Sequence, residues 1–197
     1  MATYDKPLSP QESLLLVTET ISKTKENIKE NSFPFLLWGW LITIASFSYF
    51  LLQQYTSFRF YFIPFPVFVA AGIITTTIWY SKQKSTTATE TYLNYFLSRM
   101  WLVLGIGFLA VVFINVSQNL TPFTYTLIIA AIGTLVSGLV MKFSPLTIGG
   151  VVFLVSALIC IYIPDDYKAL LHGVAVVAGY LIPGYLLKNK KYNGRTI

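Results

Sequence analysis

Residues 146–187 read LTIGGVVFLVSALICIYIPDDYKALLHGVAVVAGYLIPGYLL and contain two long apolar runs. The runs cover 146–163 and 167–187, and only Pro164, Asp165 and Asp166 separate them. Roughly 20 apolar residues in a helix cross a bilayer core about 30 Å thick. Each run is therefore long enough for one crossing, and the short polar break is typical of a tight turn. This stretch predicts a hairpin of two membrane-spanning helices.

Four further apolar runs precede this hairpin. Only 11% of the 197 residues are charged and 55% are hydrophobic, whereas a soluble domain is typically about a quarter charged. This number of charged residues is too small to cover the surface of a soluble domain. The surface of this chain must therefore be covered by lipid. The sequence predicts an all-α fold, a polytopic membrane helical bundle of six transmembrane helices with an additional amphipathic helix at the N-terminus. The predicted spans are 33–52, 62–80, 97–116, 123–141, 146–163 and 167–187.

The basic residues are distributed unevenly over the segments between the spans. If the N-terminus is cytoplasmic, the cytoplasmic segments hold twelve of the 14 Lys and Arg residues, and the outer loops hold only Arg59 and Lys168. Cytoplasmic loops carry such an excess of positive charge. We therefore expect both termini in the cytoplasm. A net charge of +6 also suits nucleic acid, but charges at span ends favour anionic headgroups, so no nucleic-acid partner is predicted.

The N-terminal segment differs in kind from the rest of the chain. Ser9, Pro10 and Glu12 form a helix-start signature, with Ser9 as the N-cap and Glu12 completing a capping box. The predicted helix continues to about residue 31 and has lysines and glutamates beside an apolar stripe. That stripe consists of Leu14, Val17, Ile21 and Ile28. The predicted domains are the cytoplasmic amphipathic helix at 1–31, the bundle at 32–188 and a basic cytoplasmic tail at 189–197.

His172 is the single histidine and lies inside the last span. An ionisable side chain in a span indicates a functional site, because burying it is costly. Asp165, Lys168 and His172 are spaced by three and four, which places them on one helix face. A polar site of His172, Asp165 and Asp166 is one interpretation, and an interfacial histidine bonded to a carbonyl or an aspartate is the other. These ligands are too few for a closed zinc site, so no metal is predicted.

The spans also lack the groups that an intramembrane enzyme needs. Their serines have no second histidine and no intramembrane carboxylate to activate them. Cys160 is the single cysteine and lies in an apolar run, which is typical of a buried thiol. No phosphate loop or dinucleotide fingerprint occurs. We predict no catalytic residue, no cofactor and no enzymatic activity.

Small residues recur at helical spacing in the fourth and sixth spans. Such residues allow close helix approach in membranes. They serve either packing within the bundle or contact between copies of the chain, and both alternatives stay open here. The predicted helix-packing residues are Gly133, Ser137, Gly138, Gly179 and Gly184.

Three motifs occur together: SPQESL at 9–14, LLWGW at 36–40 and GYLIPGYLLK at 179–188. With these motifs the chain resembles, over nearly its whole length, a family of small uncharacterised multi-pass membrane proteins of Bacteroidetes-type bacteria. The resemblance implies a bacterial inner membrane. It implies no activity and no functional residues.

Two functions are compatible with these patterns. The first is a non-enzymatic interaction, scaffold or regulatory protein that acts through its N-terminal cytoplasmic helix. Its expected partners are the lipid bilayer and either a second copy, giving a homo-oligomer, or a cytoplasmic protein. The alternative is an oligomeric channel or transporter. Because no carboxylate lies in the middle of a span, that alternative is restricted to a neutral or apolar solute.

Overall fold

The computed structural model describes residues 32–57, 59–82 and 92–189. All regular secondary structure within these ranges is helical. The predicted interaction helix with Leu14, Val17, Ile21 and Ile28 lies outside the described residues, as does the predicted tail beyond Asn189.

Six helices in the described part of the chain are long and apolar enough to cross a membrane. The prediction of an all-α, six-span membrane bundle is therefore confirmed. Three helices are at least three residues longer than predicted: the first extends past residue 52, the third begins before residue 97 and the sixth begins before residue 167. The helices are α1 Ser32–Tyr55, α2 Pro64–Lys82, α3 Tyr92–Ser117, α4 Phe123–Val140, α5 Ser144–Tyr162 and α6 Asp165–Lys188.

Two of the short turns between helices have the same geometry. Asn119 after α3 and Lys142 after α4 have positive φ values of 57° and 48°. The residue after each turn donates its amide hydrogen back into the helix, from Leu120 to the Asn115 carbonyl and from Phe143 to the Gly138 carbonyl, both at 2.9 Å. This is the Schellman motif, which satisfies carbonyls at a helix end and reverses the chain.

The sixth helix occupies the centre of the bundle. It packs against α1, α4 and α5, whereas α2 packs chiefly on α1 and α3 chiefly on α4. Half of the apolar part of α6 is buried, compared with 6% in each of α2 and α3. The core therefore lies between α1, α4, α5 and α6, and the two remaining helices form the periphery.

The centre of α6 contains an irregular turn. Val177–Leu181 form a π-helix between two α-helical segments, Asp165–Val176 and Ile182–Lys188. Pro183 follows directly and has no amide hydrogen, so the Gly179 carbonyl four residues earlier loses its usual helical donor. That carbonyl points at α5, where a Cβ atom added to Gly149 would overlap with it. The backbones of α5 and α6 thus touch at Gly149 and Gly179.

This contact predicts that Gly149→Ala destabilises the bundle by about 1–3 kcal/mol, the usual cost of overpacking a core. Gly105→Ala is the matched control, because nothing lies within 4 Å of a Cβ at Gly105 on α3. Alanine there should leave stability unchanged or raise it by about 0.5–1 kcal/mol, since glycine is a poor helix former. Unfolding of the purified protein in mild detergent measures both. Equal stability of the two variants would contradict the close contact.

Candidate functional site

His172 lies on α6 and is buried, with 6% of its surface exposed. Its Nδ1 atom is 2.9 Å from the Ser46 hydroxyl oxygen on α1. Its Nε2 atom is 3.4 Å from the Thr126 hydroxyl oxygen on α4. The imidazole therefore joins three helices that are distant in sequence.

The hydrogen-bond donors around His172 determine which of its ring nitrogens carries the hydrogen. The Ser46 hydroxyl donates to the Ile42 carbonyl at 2.8 Å, so it can accept a hydrogen bond from Nδ1–H. In a neutral ring Nε2 is then an acceptor. The Thr126 hydroxyl can donate either to Nε2 or to the Phe123 carbonyl at 2.9 Å. A neutral imidazole thus has both ring nitrogens satisfied when Thr126 turns its hydrogen towards the ring.

Aromatic rings surround the imidazole. The ring centroid of Phe123 on α4 is 5.4 Å from that of His172, and the centroid of Phe65 on α2 is 6.2 Å away. Tyr49 on α1 packs edge-on against both phenylalanines, at 5.3 Å and 5.7 Å. We call the set of Ser46, Tyr49, Phe65, Phe123, Thr126 and His172 the histidine cluster. It brings α1, α2, α4 and α6 together.

A serine next to a histidine is also the arrangement in which a base activates a nucleophile. Here the Ser46 side chain is fully buried, and its hydroxyl hydrogen is directed to the Ile42 carbonyl. A Cβ atom at Gly173 would be only 3.2 Å from the Ser46 Cβ, so α6 covers the serine closely. A substrate therefore has no access to this hydroxyl. The hydrogen bond between Ser46 and His172 instead joins α1 to α6.

The structure places the two aspartates of the predicted polar site apart from His172. Asp165 pairs with Lys168 at 2.6 Å and accepts a hydrogen bond from the Thr121 hydroxyl at 3.3 Å. Asp166 accepts one from the Gln53 amide nitrogen at 3.1 Å. Both carboxylates are exposed at the start of α6. The helix dipole favours negative charge at this end of a helix. No group of three or more metal-binding side chains occurs among the described residues.

Ser46 and Thr126 are partners of His172 that the sequence analysis missed. Each is one of several hydroxyl residues in an otherwise apolar helix, so composition does not distinguish it from the others. The spacing of residues within one helix cannot show that α1 and α4 pack against α6 next to His172.

The predicted helix-packing residues all contact other helices of the same chain. A Cβ at Gly133 would be 2.8 Å from Trp101 of α3, and one at Gly184 would be 3.1 Å from Leu36 of α1. Ser137 accepts a hydrogen bond from the Trp101 indole at 3.1 Å. Gly138 faces the backbone of Thr147 on α5, and Gly179 faces Gly149, Phe153 and their neighbours. Each of these residues is a site of close contact between helices.

The two ends of the bundle differ in charge. We call the end at which α1, α3 and α5 begin and α2, α4 and α6 finish the basic end. Among the described residues it carries no Asp or Glu, and its cationic residues are Lys82, Arg99, Lys142 and Lys188. At the opposite end Asp165 and Asp166 balance Arg59 and Lys168. The N-terminal segment joins α1 at the basic end.

Comparison of the chain with protein-family models, curated proteins and solved structures gives no match. The resemblance to a family of small bacterial membrane proteins therefore stays a sequence-based prediction. Function has to be argued from the chain's own residues.

The histidine cluster predicts that Ser46→Ala lowers the free energy of unfolding by about 1–3 kcal/mol, because Nδ1 of His172 is then buried without a partner. Ser48→Ala is the control, since residues two apart point to opposite faces of a helix. Unfolding in the same detergent measures both variants. If Ser46→Ala proved as stable as Ser48→Ala, the hydrogen bond would have no structural role.

Proposed function

We propose that this multi-pass membrane protein is a non-enzymatic anchor that holds its N-terminal helix at the cytoplasmic face of a bacterial inner membrane for a protein partner. The observation that carries the proposal is the firm attachment of α1, the span that directly follows residues 1–31. Through α1, a partner bound to the N-terminal helix would be coupled to the core of the bundle.

The first half of α1 is attached to the last part of α6 by several contacts. A Cβ atom at Gly39 would clash with Leu181, at 2.6 Å. The ring centroid of Phe35 is 5.1 Å from that of Tyr180. The Trp40 indole donates a hydrogen bond to the Tyr185 hydroxyl at 3.0 Å. These contacts support a fixed exit point for the N-terminal segment.

The charges support the proposed orientation. Cationic residues gather at the end of the bundle where both the N-terminal and the C-terminal segments leave it. Positive charge near span ends favours the cytoplasmic side. We therefore place both terminal segments in the cytoplasm, where the N-terminal helix can meet a soluble protein or the helix of a second copy.

The close backbone contacts inside the bundle favour an anchor over a solute path through one copy. Gly149 faces the Gly179 carbonyl, and a Cβ at Gly150 would lie 2.7 Å from the backbone nitrogen of Leu135. At these levels α4, α5 and α6 leave no room for a solute between them. The alternative function, an oligomeric channel or transporter for a neutral or apolar solute, would need a path away from these contacts, either elsewhere in the bundle or between copies.

The proposal predicts that changing Leu14, Val17 and Ile21 together to Asn weakens binding of the partner, or of a second copy, at least tenfold. The physical reason is that an amphipathic helix binds through its apolar face. The matched control changes Glu19, Lys23 and Glu26 to Asn on the opposite face of the predicted helix. Cross-linking in intact cells, followed by native mass spectrometry of the purified protein, measures both partner types.

Three outcomes decide this test. Loss of the cross-linked partner or dimer in the apolar-face variant alone supports the anchor. Equal binding by both variants removes the helix as the recognition element. The alternative function would be favoured if liposomes that contain the purified protein showed solute flux and neither variant changed that flux.

A further inference from the structure

A shallow groove of about 350 Å³ runs along α3. Its lining residues are Phe96, Arg99, Met100, Val103 and Leu104. Their spacing of three and four places them on one face of the helix. The first and the last are eight positions apart, which gives the groove a length of about 12 Å at 1.5 Å per residue.

The groove is lined by apolar atoms, to which the stem of Arg99 contributes, and the guanidinium of Arg99 lies beside it. Arg99 lies seven residues after the start of α3, about 10 Å along the helix axis. Its side chain is exposed, and its guanidinium lies 5.2 Å from the centre of the Tyr95 ring. The lining then continues through Met100, Val103 and Leu104 towards the middle of the span.

No carboxylate within the described ranges faces this guanidinium. The ion pair that the structure shows, between Lys168 and Asp165, lies at the opposite end of the bundle. Among the described residues of the basic end, Arg99 has Lys142 and Lys188 as fellow cations, so the charge of this part of the chain is positive. A partner that complements this charge must be anionic.

Lipid is the neighbour that can reach the groove. Only 6% of the apolar part of α3 is buried, and Val103 is 65% exposed. An arginine near a span end reaches towards the headgroup layer while its stem stays in apolar surroundings. Its guanidinium binds phosphate through two parallel hydrogen bonds. A basic side chain near the membrane surface is attracted to anionic lipid headgroups.

We propose that this groove binds an anionic phospholipid, with the phosphate on Arg99 and part of an acyl chain along Met100, Val103 and Leu104. The cation at the membrane surface and the apolar lining below it match the two parts of such a lipid. A neutral or zwitterionic lipid would fill the apolar part equally well but would gain less from the net positive charge. The site is independent of the N-terminal helix and of its proposed partner.

Native mass spectrometry of the full chain in mild detergent, titrated with phosphatidylglycerol or phosphatidylcholine, tests this site. The wild-type protein should bind phosphatidylglycerol more tightly. Arg99→Gln should weaken that binding about fivefold, the usual effect of one basic side chain near an anionic surface, and should leave phosphatidylcholine unaffected. Lys142→Asn is the control, because it removes a cation from the same end but outside the groove, and Asn tolerates a positive φ.

Val103→Trp is the second variant. It fills the apolar part of the groove and retains Arg99, and the exposure of Val103 leaves room for the larger ring. Binding of phosphatidylglycerol should fall in this variant as well, while the unfolding midpoint shows that the bundle is intact. Equal wild-type affinity for the two lipids, or full phosphatidylglycerol binding by Arg99→Gln, would show that the groove is ordinary lipid-facing surface and would overturn the proposal.

Discussion

A membrane helix has no water to satisfy its backbone, so each polar backbone group has to find a partner within the protein. Pro183, in the last part of α6, lacks an amide hydrogen, so the Gly179 carbonyl loses its usual helical donor. The π-helix at Val177–Leu181 precedes it, and the Gly179 carbonyl is directed onto the α-carbon side of Gly149. Only a glycine on α5 permits that approach. The position of α6, which contacts α1, α4 and α5, depends on this contact.

Two different kinds of interaction hold α1 against α6. Near the opposite end of the bundle, His172 binds Ser46 within a shell of aromatic rings. Towards the basic end, small residues and aromatic rings provide the contact, as at Gly39 and Phe35. The first half of α1 therefore has a fixed position, and that position is the physical basis for an anchor. His172, a titratable residue of the core, holds helices together through its hydrogen bonds to Ser46 and Thr126.

Hydropathy was sufficient to predict the six spans, because the length of an apolar run sets whether it can cross a bilayer. The turns near Pro164 and Lys142 could also be predicted from short polar breaks. The neighbours of each helix could not. In a helix that is apolar on all sides, the sequence does not show which face packs against a neighbour. The contact of Gly149 with Gly179 and the hydrogen-bond partners of His172 could therefore not be found from the sequence. The spacing of Asp165 and His172 predicted one shared helix face. In the structure Asp165 pairs with Lys168, whereas His172 pairs with hydroxyls from other helices.

We propose that the six-span bundle holds both terminal segments on the cytoplasmic side. Cysteine labelling with a membrane-impermeant maleimide tests it directly, in a Cys160→Ser background, since the native cysteine is buried. Single cysteines replace Thr3, Ser57, Thr86, Asp166 and Arg195. The account predicts labelling at 57 and 166 in intact cells, and labelling at 3, 86 and 195 only after the cells are opened. Labelling of 3 or 195 in intact cells would contradict it.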